Sequence, residues 1–342
     1  MDYQSFKENL KPIYNEDRLL MEVGLTPLQG DRFQPTGFPE LGAANYQRPD
    51  GTEMILIESA QSMANRLEVV CWDDEKNDLV KELAGISYIK ILKDDKFLTS
   101  SILEAHRINS PYILESGDTS FLDKLREEVG VMEEGPVDLS LLAKVTMKYD
   151  CSSLLHGLFL SKKELAGGRL RLPRTLSSFI EAEEVEPVES GGVKLDHVSP
   201  KGSGEGAKIG FGHIPFARTE YTARKITAYF NIDLRQIRGY RLGDVGFDFL
   251  VGLAFFKIQK FLKEGLRLRT ACDLKVVDGI KITRPNGFKL PTFEEISAVI
   301  PEIIEKVKEE ALFAEPPVTE VIFKPKGKGK KEEKKESIET SE

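Results

Sequence analysis

Three stretches near the C-terminal third decide the fold: residues 221–234, YTARKITAYFNIDL; residues 246–263, GFDFLVGLAFFKIQKFLK; and residues 266–277, LRLRTACDLKVV. The first is rich in Tyr, Ile, Thr and Phe, which suit a pleated, half-buried surface, and it predicts a long strand. The second predicts an amphipathic to buried helix that stops at Gly265, where glycine supplies the helix cap. The third alternates apolar and polar residues and predicts another strand. Strand, helix, strand is half of a ferredoxin-like or RNA-recognition-motif sheet. A matching half is expected upstream. Residues 18–28 (RLLMEVGLTPL) alternate as a strand does, residues 58–72 (ESAQSMANRLEVVCW) set Met63, Leu67, Val70 and Cys71 on one helical side, and residues 86–92 read as the second strand. The expectation is an α+β fold whose central sheet carries large insertions.

Those insertions are mixed. Residues 98–112, 121–129 and 139–148 predict helices; 154–160 and 168–172 predict strands, and 176–182 continue as strand or short helix. Residues 189–213 are dominated by Gly, Ser, Lys and Pro, a composition that fits a protruding arm better than a core element. Residues 324–342 carry seven lysines and five glutamates and almost no apolar side chain, and predict a disordered tail.

Composition bounds the function. The chain has 342 residues, 40% of them hydrophobic, enough for a substantial core. Its longest apolar stretch, 247–258, is broken by Asp248 and Lys257, so no membrane span is expected, and the N-terminus shows no secretory leader. Cys71, Cys151 and Cys272 are scattered and form no CxxC pair; they read as reduced core thiols of a cytoplasmic protein, with no metal and no cofactor expected. The net charge of −8 opposes a nucleic-acid role. Local field along a groove can still be positive on an acidic protein.

Three patches could supply that field. Loop 29–38 (QGDRFQPTGF) offers Gln29, Arg32, Gln34 and two phenylalanine rings, the groups that hold single-stranded RNA; the bland alternative is a structural loop with Arg32 paired to Asp31 or Glu40. Helix 58–72 presents Ser59, Ser62 and Arg66 at three- and four-residue spacing beside Gln61 and Asn65, a small, nearly uncharged face that a phosphate chain can approach. The middle of the chain is basic: Arg169, Arg171 and Arg174 come without an acid, and residues 201–241 hold eight basic side chains against three acidic ones, with Phe211, Phe216, Tyr221, Tyr229 and Phe230 interleaved.

Enzyme signatures are missing: there is no GxxxxGK[ST], HExxH or GxSxG, and residues 202–207 match GxGxxA without the strand and helix that motif needs. His156 lies in an apolar run and reads as a core histidine, whereas His106 has the polar neighbours Arg107, Asn109 and Ser110. Asp31 is the sole carboxylate that suggests metal-assisted RNA cleavage, and it has no evident partner.

Six segments carry a resemblance: TPLQGDRFQPTGFPELGAANYQ (26–47), IESAQSMANRLE (57–68), TSSILEAHRINSPYI (99–113), GGRLRLPRTLSSFIEA (167–182), RTEYTARKITAYFNIDLRQIRGY (218–240) and LRLRTACDL (266–274). Together they resemble the backbone subunit of type I-G (formerly I-U) CRISPR complexes, in the Cas-seven branch of the RAMP superfamily, over roughly residues 10–280.

That resemblance implies a hand-shaped domain spanning 1–323: a modified RNA-recognition-motif palm, finger insertions, and a thumb for which 189–216 is the candidate. It implies that copies stack head to tail along the CRISPR guide RNA (crRNA), that each thumb crosses the RNA and kinks out one nucleotide, and that exposed bases pair with a target DNA strand beside the other Cascade subunits. Cutting would belong to a separate nuclease, so the chain is expected to bind and not to catalyse. Arg32 and Gln34, with Gln29, fall in the palm loop; Ser59, Gln61, Ser62, Asn65 and Arg66 on the first helix; Lys194 and Lys208 in the thumb. Arg169, Arg171, Arg174 and Arg218, with Thr219, His106 and Arg107, complete the expected RNA track, in which Arg66, Arg169, Arg171 and Arg218 converge. Related type III subunits cut RNA with an aspartate in an equivalent loop, which keeps a ribonuclease at Asp31 as one alternative; a protein that binds no nucleic acid is the other.

Overall fold

The computed structural model describes residues 1–38, 40–132, 134–198, 208 and 210–325. A short helix α1 (Tyr3–Leu10) leads into β1 (Arg18–Pro27), then β2 (Asn45–Gln47), β3 (Glu53–Glu58) and helix α2 (Ala60–Val69). Next come β4 (Tyr88–Lys93) and β5 (Lys96–Ser100), and, after a helical stretch, the paired long strands β6 (Leu176–Lys194) and β7 (Ile214–Asp233). Helix α3 (Gly243–Glu264) is followed by β8 (Arg267–Arg269), β9 (Cys272–Val276), β10 (Lys281–Arg284), α4 (Phe293–Glu309) and β11 (Val318–Ile322).

The large sheet runs β8-β9-β1-β7-β6-β3-β2, with β10 also on β1, and every pairing is antiparallel. Its centre, β9-β1-β7-β6, with α2 between β1 and β6 and α3 between β7 and β9, is the ferredoxin-like βαββαβ order. The late strand and helix are thus where their periodicity placed them, but residues 266–277 turn back as a β8–β9 hairpin rather than run as one strand. The early half differs. Residues 86–92 supply β4, which sits in a separate sheet β11-β4-β5, with β11 parallel to it. The free edge of β7 is filled instead by β6, in register from Leu176↔Ile232 to Lys194↔Ile214, which leaves β4 no place there.

Residues 98–112 are not one helix. They finish β5 and continue through turns into a 3-10 turn (Arg107–Asn109) and a short helix (Pro111–Leu114). Strand pairing is the cause: Thr99 and Ser100 pair with Ile91 and Lys90, and Ser101 N donates to Ile89 O at 2.8 Å while its Oγ accepts from Ile89 N at 3.1 Å, so the start of the segment is held in the β4 ladder.

One face of the sheet is covered. β1 buries Leu19, Met21, Val23 and Leu25 by strict alternation, and β7 buries Ile226, Ala228, Phe230 and Ile232. Against them lies α3, buried over nearly its whole length and packed in turn on α4. Removing such a side chain from water contributes about 1.5–3 kcal/mol. At Gly252 a Cβ would come within 3.3 Å of the Phe6 ring, so α1 reaches α3 only because that position has no side chain. Cys71, Cys151 and Cys272 are free and buried. Among the described residues no helix is long and apolar enough to cross a membrane.

Of the expected thumb 189–216, residues 189–194 and 214–216 pair as the outer ends of β6 and β7, where Val193, Ile214 and Phe216 are about half exposed. Residues 199–207 and 209 of the expected arm, and 326–342 of the expected tail, lie outside the described residues.

Candidate nucleic-acid interface

Loop 29–36 is pinned across the sheet. Phe33 exchanges backbone hydrogen bonds with Tyr221 at 2.8 and 3.0 Å, and Gln34 N donates to Ala271 O at 2.8 Å. The Phe33 ring is buried, so it anchors the loop and is not open to a base. This seating brings Arg32 and Arg218 to one carboxylate: Arg32 Nη1 is 3.1 Å and Arg218 Nη2 2.9 Å from Glu220, which is 5% exposed. Arg32 therefore pairs with Glu220 rather than Asp31 or Glu40. Gln29, Asp31 and Asp273 line the same concavity. With three carboxylates to two guanidiniums, the ionised side chains of this first cluster carry one net negative charge. Among the described residues no group of three or more His, Cys, Asp or Glu side chains is arranged to hold a metal ion.

A second cluster is positive. Glu58, at the end of β3, is fully buried and accepts from Arg66 Nη2 at 3.0 Å, from Arg269 and from the Ser62 hydroxyl. Arg269 also donates to Gln34 O at 3.0 Å and Ile57 O at 3.1 Å, and Arg66 to Leu268 O. Two guanidiniums on one carboxylate leave one positive charge, with the arginine side chains still 24% and 23% exposed.

The third cluster continues along the open ridge of α2. Gln61 Nε2 donates to Asn65 Oδ1 at 3.2 Å, while Gln61 Oε1 accepts from Arg174 Nη2 at 2.8 Å and Ala60 O from Arg174 Nη1 at 2.7 Å. Gln61 and Arg174 share a pocket with His106, Arg107, Asn109, His156 and Phe159. Burial pulls Arg66, Arg174 and Arg269 below the ordinary guanidinium range. These cations have lost part of their hydration, which an anion's charge-assisted hydrogen bonds would return.

Other expected residues have structural tasks. Ser59 caps α2, accepting from Ser62 N at 3.2 Å. Arg107 is buried in a bidentate pair with Glu68, both bonds 2.7 Å. Arg169 donates to the carbonyls of Ala166, Gly135 and Met132 and ties that loop together. Arg171 lies over the Phe159 ring, 5.7 Å from its centroid. Thr219 bonds Glu189 across the hairpin at 3.1 Å, and Lys194 and Lys208 are exposed. Arg66, Arg169, Arg171 and Arg218 thus share no single cluster; Arg66 and Arg218 are held on buried carboxylates, and Arg269 and Arg174 extend the row from Arg66. Sequence reading missed Arg269, Glu58 and Phe159. The alternation of residues 266–274 was the available signal for Arg269, since it sets Arg267 and Arg269 on one strand face.

The model of a family described as CRISPR-associated protein GSU0053 matches residues 19–187. That likeness is to a CRISPR-associated family. The matched stretch holds Glu58, α2, Arg66 and Arg174 and stops before Arg218 and Arg269. No curated protein matches the chain. Among solved structures, a chain of a "CRISPR RNA-guided surveillance complex, pre-nicking" is 14% identical, with 78% of this chain and 75% of that one covered at a TM-score of 0.41. Csc2 of Thermofilum pendens, in a crystal structure, is 9% identical, with 88% and 79% covered at a TM-score of 0.30.

Proposed function

We propose that this protein is a Cas-seven-type backbone subunit of a CRISPR surveillance complex, and that it holds crRNA by its phosphates along α2. The observation that carries this is the row Arg269, Arg66, Asn65, Gln61, Arg174: partly desolvated guanidiniums at both ends of an uncharged helical ridge, above a carboxylate that is fully buried. The match of residues 19–187 to a CRISPR-associated family supports the same reading. In its finer form the complex is of type I-G, copies of the chain follow one another along the guide beside other subunits, the guide pairs with a target DNA strand, and the protein leaves its RNA uncut.

The purified full chain should carry RNA, visible as excess absorbance at 260 nm. After the RNA is stripped, single-stranded RNA should rebind with an affinity that falls on a log–log plot by about 0.7 per phosphate neutralised as salt rises. Arg174→Gln should lower that slope by about one such step. A nucleic-acid-free preparation whose RNA binding ignores salt would sink the proposal. Shortening of bound RNA in magnesium, abolished by Asp31→Asn, would move the protein to the ribonucleases.

A further inference from the structure

The pocket beyond the α2 ridge has chemistry that phosphate binding does not use. Phe159 lines it and is 51% exposed, so its ring is open to a ligand entering the pocket. It projects outward because its strand (Leu158–Leu160) buries Leu158 and Leu160 on the opposite side. Its cross-strand partner Arg171 lies over the ring. Around the ring stand the carboxamides of Gln61 and Asn109, the His106 imidazole and Arg174. Asn109 is fixed by Ser161, donating to its Oγ at 3.1 Å and accepting from its N at 3.0 Å, so its amide nitrogen keeps a second hydrogen to give. The pocket wall is stiff: Gly157, at φ +87°, stands where a Cβ would meet backbone atoms at 3.3 Å, and Gly157 O accepts from the buried Arg107.

We propose that this pocket takes one nucleobase of a bound single-stranded RNA. The base stacks on Phe159, which Arg171 supports by a cation–π contact, its polar edge meets the Asn109 and Gln61 amides, and its phosphate lies toward Arg174 and His106. A planar ring with a polar edge and an attached anion is the ligand that these groups have in common. This inference rests on RNA running along α2, but it has its own readout.

The test uses the full chain and RNA oligonucleotides carrying 2-aminopurine at each position in turn. Binding should quench one position strongly. Phe159→Leu should abolish that quenching and weaken binding roughly tenfold, toward the low end for loss of a stacking ring, with the salt slope and the melting temperature retained; Phe159→Trp should restore the quenching. If RNA binds and Phe159→Leu leaves both quenching and affinity as in the parent, the base site is overturned while the phosphate row stands. If RNA does not bind at all, both fall.

Discussion

Glu58 shows how one side chain can hold a surface it never reaches. Its carboxylate is fully buried, and two arginines and a serine hydroxyl converge on it. Taking a charge into the interior is costly, and the ion pairs offset the cost only while both signs are present. Glu58→Gln keeps the shape and removes the charge, leaving Arg66 and Arg269 to face each other. It should cost about 3 kcal/mol in urea unfolding. Glu184→Gln, which breaks the exposed pair with Arg224, should leave the unfolding midpoint where it is. Equal effects of the two changes would show that Glu58 is not the centre of the clamp.

At the scale of elements, α2 separates residues that build the helix from residues that present a ligand face. Ser59→Ala removes the cap and should cost about 1 kcal/mol of stability. Gln61→Ala lies on the exposed ridge and should weaken RNA binding severalfold with unfolding unchanged. Thermal melts and RNA titrations on the two variants check this, and a Ser59 variant that changes binding alone would reverse the assignment. The sequence shows both residues as part of one polar face, and only the cap geometry tells them apart. The same limit applies elsewhere. Residues 221–264 were legible as strand and helix because each period is local, whereas the alternation of 266–277 concealed the turn between β8 and β9. The partner of β7 was not legible, since residues 86–92 and 176–194 both read as strand and only long-range register chooses between them. Glu58 was overlooked for a related reason: an acid at a strand end resembles a solvent-facing residue, and one of its two arginines, Arg269, arrives from far along the chain. Helix α4, for which no expectation was set, carries a local signal of its own. Thr292 and Glu295 form a capping box ahead of Ile296, Val299, Ile300, Ile303, Ile304 and Val307 at helical spacing.

The whole molecule carries a buried polar layer beneath the pocket that Phe159 and His156 line. Lys257 Nζ, 1% exposed, lies 2.6 Å from Ser152 Oγ and 3.0 Å from His156 Nε2, and Glu68, Arg107 and Asp150 are buried nearby. Burial, and then the Lys257 charge, push His156 well below its ordinary value of 6.5. The unfolded chain therefore takes up a proton below about pH 6.5 that the fold refuses. Stability should be fully present above that pH and should fall as the solution is acidified, by at most ~1.4 kcal/mol per pH unit from this group. Burial raises Glu68 and Asp150, which act in the opposite sense at lower pH. The difference between the parent and His156→Gln in unfolding between pH 7 and 5 isolates the histidine, and parallel curves would contradict its buried neutral state.

The two larger sheets draw partners from far downstream. β1 waits for β7 and β9, and β4 for the parallel β11 at Val318–Ile322. During synthesis the ribosome adds ~5–20 residues per second, so β4 stands with an open edge for on the order of ten seconds or more before its neighbour emerges. The nascent protein then presents open strand edges beside those of its sister chains on the same message. Translation speed, and whatever shields those edges in the meantime, governs how much of the product ends in the native pairing.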